Sequence, residues 1–383
     1  MKKDKKKILV LTDDMPWGHR SIAKAIFKYL KENQSKNNYE VELAEIKAET
    51  AFVSDLYTFA YRYIPKTNRM FHRISGTKVA KDILKEMSIL NLENLKEKID
   101  EIKPDLVISS YFLHSHSLSR WRKEENKNFK LWSVVTDPWT INALSFVKDA
   151  DLNIVYDENS LREGQRWGLE KEKMMITGWW TRGEMYQEFD RKKTRRSLGF
   201  NDDRPVIFVG GGSLGMNSLP KLLPVMLTLK ERVGFIVNTG TDKLAFNLIE
   251  QFMKILKRLK KENLIQIKHL GWIENMSEVL SAADIVFGKA GPNFLFDCLA
   301  CKKPFVAMTH IGGQEDGNID LIKKKKLGWV KEKNGEISNF LYEYLEKPKY
   351  FEEKYKGNIK REAENNQKSL GMILNRIKKE FSL

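Results

Sequence analysis

The segment Gly210-Gly211-Gly212-Ser213-Leu214-Gly215 has the residue types and spacing of a phosphate-binding turn. It follows the apolar run 205–209 and precedes a helical pattern. Glycines let the backbone come close to a ligand, and the first N–H groups of a helix can bind a phosphate. The spacing also fits G-x-G-x-x-G, but a dinucleotide site needs an acidic residue at the end of the next strand, where Asn238 stands instead. We predict a phosphate-binding turn, and a turn without a ligand is the alternative.

The segment Lys289–Asp297 has the pattern of a strand, a loop and a helix, with Gly291-Pro292 at the start of the helix. Asp297 follows about one turn into that helix, where its carboxylate could accept two hydrogen bonds from a ribose diol. A carboxylate that only complements the helix dipole is the competing interpretation. Gln314, in the polar loop 312–318, offers a donor and an acceptor to sugar hydroxyl groups.

His19 follows the first predicted strand directly, after Gly18. Because an imidazole titrates near neutral pH, a histidine at the carboxyl end of a strand could serve as a general base. A structural histidine is the alternative. His114 and His116 follow another predicted strand, 106–109, on the side expected for ligands, and they are weaker candidates.

The elements that must position these residues form two series of short apolar runs alternating with longer amphipathic stretches. This pattern predicts α/β domains with parallel sheets. One series runs from Lys7 to about Gly178 and the other from Pro205 to Met308, with a charged, turn-rich segment around 190–204 between them. Two doubly wound halves predict a cleft, because ligands of such sheets bind outside the carboxyl ends of the strands.

The composition indicates a globular protein with a basic surface. Hydrophobic residues make up 42% of the 383 residues, which is enough for two substantial cores. Lys and Arg number 67 against 51 Asp and Glu, a net charge of +16. Nucleic acid, an anionic membrane surface and a phosphate-bearing small molecule all suit this sign. A lysine-rich proteome would give the same excess without any such partner.

Neither a metal site nor a membrane span is predicted. Cys298 and Cys301 form a C-x-x-C pair with no second cysteine pair and no histidine at finger spacing, so buried thiols are the preferred interpretation. We find no signal-peptide pattern and no apolar run near the ~20 residues of a spanning helix, which predicts a soluble or peripheral protein.

The segment 51–78 alternates aromatic and cationic residues, among them Tyr61, Arg62 and Arg69. Such a mixture suits an interfacial helix against anionic lipid. It would equally stack on the bases of a single-stranded nucleic acid or pack into a core with a basic rim.

Several stretches, taken in order, resemble the group of monogalactosyldiacylglycerol synthases and processive diacylglycerol glucosyltransferases, within glycosyltransferase family 28. The resemblance covers residues 9–330 and is strongest after Gly178. It is carried by Gly18-His19-Arg20-Ser21, Thr136-Asp137-Pro138, Gly178-Trp179-Trp180-Thr181-Arg182, Gly210–Gly215, Gly271-Trp272-Ile273-Glu274-Asn275-Met276, Lys289–Asp297 and Gly313–Asn318.

The resemblance implies a GT-B fold, in which two Rossmann-like domains face a cleft. It implies an N-terminal acceptor domain (1–178), a linker (179–204), a C-terminal nucleotide-sugar domain (205–345) and a C-terminal helix (346–383) that packs back on the N-terminal domain. It also implies a hexosyltransferase that moves sugar from a nucleotide sugar, expected to be UDP-linked, to a membrane lipid such as diacylglycerol. That reaction inverts the anomeric carbon and uses neither a metal nor another cofactor.

The implied partners are the nucleotide sugar, the lipid acceptor and an anionic membrane surface, without nucleic acid. The implied location is the cytoplasm, peripheral on the inner face of the cell membrane. His19 would be the catalytic base. The expected donor-binding residues are Arg182, Gly211, Gly212, Ser213, Leu214, Asn238, Gly271, Trp272, Ile273, Met276, Lys289, Gly291, Pro292, Asn293, Asp297, Gln314 and Glu315. The expected acceptor or membrane residues are Trp17, Tyr61, Arg62, Arg69, Asp137 and Trp139.

The chain departs from the family pattern at a few positions. Met15-Pro16-Trp17 replaces glycines before Gly18, Asn293-Phe294 replaces Gly-Thr, and Asp297 replaces a ribose-binding Glu. These substitutions motivate one alternative, a GT-B-like protein that binds nucleotide or lipid without turnover. A sugar-nucleotide epimerase, which can share the same two-domain fold, is the other alternative. The identity of the sugar, base and acceptor, the processivity and the oligomeric state stay open.

Overall fold

A computed structural model describes residues 5–15, 18–47, 92–210 and 219–383. The chain divides into two compact units. The first unit comprises Met1–Thr181, Ile311–Gly317 and Asn365–Leu383, and the second comprises Arg182–His310 and Asn318–Glu364. The domain ranges given above, which place boundaries after residues 178, 204 and 345, stay predictions.

The first unit contains a six-stranded sheet in the order β2-β1-β3-β4-β5-β6, and every neighbouring pair is parallel. Residues Ile8–Leu11 are at most 1% exposed, as expected of a parallel strand that is covered on both faces. The elements of the series are β1 (Lys6–Thr12), α1 (Gly18–Asn33), β2 (Tyr39–Glu45), α2 (Leu92–Ile102), β3 (Leu106–Ser109), α3 (Phe112–Glu124), β4 (Lys130–Val134), β5 (Leu152–Val155), α4 (Glu158–Arg166) and β6 (Met174–Ile176).

The second unit contains another six-stranded parallel sheet, in the order β12-β11-β10-β7-β8-β9. Its strands are β7 (Val206–Gly210), β8 (Val233–Asn238), β9 (Ile265–Leu270), β10 (Ile285–Lys289), β11 (Phe305–Thr309) and β12 (Gly328–Val330). Its helices are α5 (Arg191–Ser197), α6 (Leu219–Thr228), α7 (Lys243–Arg258), α8 (Met276–Ala282), α9 (Pro292–Ala300), α10 (Asp316–Lys324) and α11 (Asn334–Glu346). Short 3₁₀ turns of the first unit are Gln34–Lys36, Ala143–Ser145 and Lys171–Lys173, and one of the second unit is Gly183–Tyr186. The prediction of two parallel α/β sheets is confirmed.

The cores lie between each sheet and its helices. In the second unit, Phe235, Phe287 and Phe340 are at most 2% exposed and belong to one cluster. In the first unit, Leu9, Leu131 and the helix residue Trp121 are at most 1% exposed and likewise belong to one cluster. Burial of a large apolar side chain contributes roughly 1.5–3 kcal/mol, so these clusters fix the strand ends that carry the candidate site. None of the described helices has the length and hydropathy to cross a bilayer.

The carboxyl-terminal segment was predicted as one helix over 346–383, and the structure divides it into three. These are α12 (Pro348–Lys354), α13 (Lys356–Gln367) and α14 (Ser369–Phe381). The first break falls at Tyr355, whose φ and ψ of −118° and 8° leave the helical range. In the first unit, Asn366 Oδ1 accepts a hydrogen bond from Trp179 N at 2.9 Å, and Ser369 Oγ donates to Trp179 O at 2.9 Å. These hydrogen bonds fix the backbone at Trp179, after the last strand of the first sheet.

Candidate functional site

His19 is the second residue of α1 and lies close to the carboxyl end of β1. Its residue is 9% exposed, and its imidazole stacks on the ring of Tyr111 with centroids 4.8 Å apart. Ser110 Oγ donates a hydrogen bond to the carbonyl of His19 at 3.0 Å, which fixes the start of the helix. Burial lowers the pKa of His19 to about 4, so the imidazole is neutral at physiological pH.

His114 and His116 lie inside α3 rather than in a loop after β3, and they are weaker candidates than their position in the sequence indicated. His114 is fully buried, edge-on to Tyr111 with centroids 4.9 Å apart, and burial followed by the charge of His19 lowers its pKa to about 3. His116 Nε2 contacts Leu144 O at 2.8 Å, and burial lowers its pKa.

The loop after β4 contains the predicted acceptor residues Asp137 and Trp139. The indole N–H of Trp139 donates to Asp157 Oδ2 at 3.0 Å, and Asp157 Oδ1 in turn accepts from the N–H groups at the start of α4. Trp139 therefore anchors the loop. Burial, followed by the negative charge of Glu315, raises the pKa of Asp137 to about 7.

The loop 311–317 belongs to the same compact unit as Asp137. Glu315, predicted to bind the donor, turns its carboxylate to its own loop, where Oε2 accepts from Ile311 N at 2.6 Å. Gln314 is exposed. Gly317 N–H donates to Thr140 Oγ1, and a Cβ at Gly317 would overlap the backbone of Thr140. Only glycine allows this approach of the two loops.

In the second unit, Arg182 and Asp297 form an ion pair, with Nη2 and Oδ2 3.1 Å apart. Arg182 was predicted to reach a diphosphate and Asp297 a ribose, and in the structure the two contact each other. Burial raises the pKa of Asp297 to about 6, and the guanidinium of Arg182 opposes this rise. The carboxylate lies in α9, as the sequence predicted.

The loop after β10 is held at several points. Lys289 is 8% exposed, and its carbonyl accepts from Gly291 N at 2.8 Å. The carbonyl of Ala290 accepts from Asn318 Nδ2 at 2.8 Å. Pro292 is the first residue of α9, and Asn293 follows it with partial exposure. Hydrogen bonds therefore fix the backbone directly before the first residues of α9.

Phe294 stands where the family pattern has threonine. Its ring lies 6.1 Å from that of Phe208 and 5.8 Å from that of Phe305. A Cβ at Gly210 would lie 3.0 Å from Phe294 Cζ, and one at Gly288 would lie 2.7 Å from Phe294 Cε1. The phenyl ring thus extends the core to the strand end where the glycine turn begins.

The ends of β8 and β9 are joined by a hydrogen bond from Asn238 Nδ2 to Gly271 O at 2.8 Å. Both residues were predicted to bind the donor, and the structure brings them together. The neighbouring Trp272 is 77% exposed, and Ile273 is partly exposed. Met276 begins α8, so it lies at the end of this loop.

A group that sequence reasoning missed lies beside this contact. His269 Nδ1 is 2.6 Å from Glu250 Oε1, and its Nε2 is 3.0 Å from Thr239 Oγ1. The ring of Phe246 lies 4.3 Å from the imidazole. Because Glu250 belongs to α7 and His269 to β9, no local pattern in the sequence could have linked them. The chain from carboxylate to imidazole to hydroxyl fixes the turn after Asn238.

Several predicted residues lie outside the described residues, namely Gly211, Gly212, Ser213, Leu214, Trp17, Tyr61, Arg62 and Arg69. Their roles stay predictions, as does the convergence of the loops of both sheets on one cleft. Within residues 5–15, 18–47, 92–210 and 219–383, no three His, Cys, Asp or Glu side chains are grouped as a metal site would need. Cys298 is buried, and Cys301 Sγ donates to Met185 O at 3.3 Å.

Two family models match the chain in succession. Monogalactosyldiacylglycerol (MGDG) synthase matches residues 19–179, and the glycosyltransferase family 28 C-terminal domain matches residues 206–370. The first match runs from α1 to the segment after β6, and the second contains the whole second sheet. The resemblance seen in the motifs is confirmed.

Known relatives match most of the chain at low identity. Monogalactosyldiacylglycerol synthase 1 of Arabidopsis thaliana is 22% identical over 355 residues, which cover 89% of this chain and 65% of the plant protein. The processive diacylglycerol beta-glucosyltransferase of Bacillus licheniformis is 22% identical over 360 residues, 93% of this chain and 90% of that enzyme. The chain therefore spans just under two thirds of the plant relative and nearly all of the bacterial one.

Solved structures share the architecture. MurG of Acinetobacter baumannii superposes with a TM-score of 0.61 at 14% identity, over 98% of this chain and 99% of that chain. HepE of Anabaena, solved in complex with UDP, superposes with a TM-score of 0.56 at 14% identity, over the same shares of the two chains. These likenesses confirm the GT-B fold. The chain therefore carries a region that matches the MGDG synthase model, followed by a region that matches the C-terminal domain of glycosyltransferase family 28.

Proposed function

We propose that this protein is a hexosyltransferase that moves a sugar from a nucleotide sugar, UDP-linked, to a membrane lipid of the diacylglycerol type with inversion. One observation carries the proposal: two consecutive family matches, to an MGDG synthase domain and a family 28 C-terminal domain, contain five of the six strands of the first sheet and all six of the second. The diacylglycerol relatives and the UDP complex of HepE support the choice of acceptor and donor.

Donor binding is assigned to the strand-end loops of the second sheet. In this proposal, the loop Lys289–Gly291 and the start of α9 would present a cationic side chain and the positive end of a helix to the diphosphate. These groups would supply positive potential in place of a metal. Asp297 would hold the ribose once ionised. The side chain of Arg182 is 34% exposed, so it can turn toward an anionic ligand without leaving a cavity.

His19 is the proposed base. The acceptor hydroxyl loses its proton to the imidazole as its oxygen attacks the anomeric carbon, and the nucleoside diphosphate leaves from the opposite side. Since burial lowers the pKa of His19 to about 4, the ring is neutral throughout the physiological range. General-base help of this kind contributes roughly 10²–10⁴-fold to the rate.

Peripheral binding to the inner face of the cell membrane, from the cytoplasm, is part of the same proposal. A diacylglycerol acceptor stays in the bilayer, so the enzyme must reach it there. The net charge of +16 favours an anionic leaflet. Segment 51–78, predicted as the interfacial helix, lies outside the described residues.

The test is a donor screen with UDP-glucose, UDP-galactose and related sugar nucleotides, supplied with diacylglycerol in mixed micelles, followed by mass analysis of the lipid product. We expect one glycolipid from the parent, a loss of 10²-fold or more in kcat with His19→Ala, and near-parent turnover with the control His116→Gln. Equal turnover by parent and His19→Ala would remove the base assignment.

A non-catalytic nucleotide-binding protein is the second candidate, and one observation favours it. Asp297 is already paired with Arg182, and Phe294 fills the place of a small polar residue at the glycine turn. Tight UDP binding with no product across the panel would support this candidate. Conversion of the donor without any acceptor would instead support an epimerase.

A further inference from the structure

Helix α7 carries an apolar stripe on its solvent side. The stripe consists of Leu244, Leu248, Ile255 and Leu259, which are 83%, 41%, 42% and 55% exposed. The spacings of four, seven and four residues place these side chains on one face of the helix. The four side chains therefore lie along the same side of the helix.

The stripe does not serve to hold the helix in place. A different face of α7, formed by Ala245, Ile249, Phe252 and Leu256, is at most 7% exposed and packs in the core of the second unit. Among the described residues, ten large apolar side chains are exposed, and five of them belong to α7 or its last turn. Such clustering, unlike single exposed residues, marks an interaction surface.

Positive charge borders the stripe. The basic residues on α7 and its carboxyl end are all exposed, and they are Lys243, Lys254, Lys257, Arg258 and Lys260. Two acidic residues of the region have local partners, because Asp242 accepts from two N–H groups at the start of the helix and Glu250 contacts His269. Glu262 is the acidic side chain left exposed near the carboxyl end. The surface of α7 is thus apolar along one strip and cationic beside it.

We propose that this face of α7 docks on the surface of an anionic lipid bilayer. An apolar strip beside lysines is the surface that a helix lying in the headgroup region presents, because leucines enter the acyl boundary while long cationic side chains reach the phosphates. At about 1.5 Å per residue, the helix offers roughly 24 Å of such contact. A second copy of the chain would bring five like charges against the same five, which disfavours self-association. The inference names the surface for the peripheral membrane binding that is part of the proposed function, and it is argued from the exposure and charge of α7.

The experiment is sedimentation of the full chain with vesicles, without donor or acceptor. One set of vesicles contains one-third phosphatidylglycerol in phosphatidylcholine, and the other is phosphatidylcholine alone. We expect the parent to bind the anionic vesicles more tightly, and added salt to weaken that binding. The double variant Leu244→Gln/Leu259→Gln should bind about tenfold more weakly, since both apolar side chains leave the lipid boundary. The double variant Lys254→Glu/Lys257→Glu should lose about tenfold or more, on anionic vesicles only.

Matched controls separate this surface from general hydrophobicity and charge. Met372→Gln changes an apolar side chain that is 40% exposed on α14, and Lys356→Glu/Lys360→Glu reverses two exposed charges on α13. Both controls should bind vesicles as the parent does, and melting curves verify that each variant is folded. Parent-like binding by the leucine variant would overturn the proposal, as would a parent that binds no anionic vesicle. A change in oligomeric state of the leucine variant at unchanged vesicle binding would make a second copy the occupant and equally overturn it.

Discussion

Replacement of Asp297 by Asn is expected to stabilise the protein at neutral pH while weakening the donor site. Burial raises the pKa of this carboxyl to about 6 from an ordinary value of 3.8. Because the pKa of Asp297 is higher in the folded than in the unfolded state, protonation of its carboxyl favours folding. This contribution to the free energy of unfolding is complete below pH 3.8 and is lost as the pH rises through about 6. At 1.36 kcal/mol for each pKa unit, the ionised carboxylate costs about 3 kcal/mol at pH 7.

The assay is thermal unfolding of the parent and Asp297→Asn at pH 4 and pH 7. For a domain of 150–250 residues, 1 kcal/mol changes Tm by about 2–4 °C, so the variant should melt about 6–12 °C higher than the parent at pH 7. The two proteins should melt together at pH 4. Asp320→Asn, which removes a carboxylate that is 58% exposed on α10, is the control and should show no such divergence.

A nucleotide titration completes the experiment, because a ribose-binding carboxylate predicts that Asp297→Asn binds UDP at least tenfold more weakly. An unchanged or lower Tm at pH 7 would refute the reasoning that the carboxylate is held at the expense of stability. A higher Tm with unchanged UDP affinity would keep the burial argument and refute the ribose contact.

If activity needs the ionised carboxylate of Asp137, the kcat/KM of the parent should fall as the pH drops through about 7, because the carboxylate then becomes protonated. Asp137→Asn should lack this decrease in its pH profile, and the same decrease in both proteins would contradict a role for the ionised carboxylate. Glu250→Gln should raise the KM for the nucleotide sugar several-fold with kcat within about twofold, since the carboxylate holds His269 and the turn after β8, and steady-state kinetics that show a loss only in kcat would argue against a positioning role. Gly317→Ala should cost about 1–3 kcal/mol in denaturant unfolding because its Cβ would overlap a neighbouring backbone, whereas Gly335→Ala, where nothing lies within 4 Å, should cost nothing.

The two sheets could be predicted because each strand is buried on both faces and therefore appears as a short apolar run. Residues Ile8–Leu11 and Val206–Val209 are examples, and in the sequence each is followed by glycine and then by a helical pattern. The position of a residue at a strand end also follows from the sequence alone. His19 and Lys289 are found at the strand ends where the alternation predicts them.

Pairings between distant elements could not be predicted. Arg182 and Asp297 are 115 residues apart, and each looked like a direct ligand contact because nothing local indicates that they meet. The contact of His269 with Glu250 depends on the packing of α7 against β9, which periodicity does not determine. The division of the carboxyl-terminal segment into three helices escaped prediction since its charged residues suit a helix at every position.

The first unit is assembled from three separate stretches of the chain. It therefore cannot be completed during synthesis until the last of these stretches has been made. Asn366 and Ser369 contact Trp179, so the last stretch is needed to finish a structure whose strands were made nearly two hundred residues earlier. Residues 365–383 must therefore be synthesised before the first unit can be completed, and until then the unit exposes the apolar surface that α14 later covers. A nascent chain arrested before residue 365 is expected to depend on chaperones.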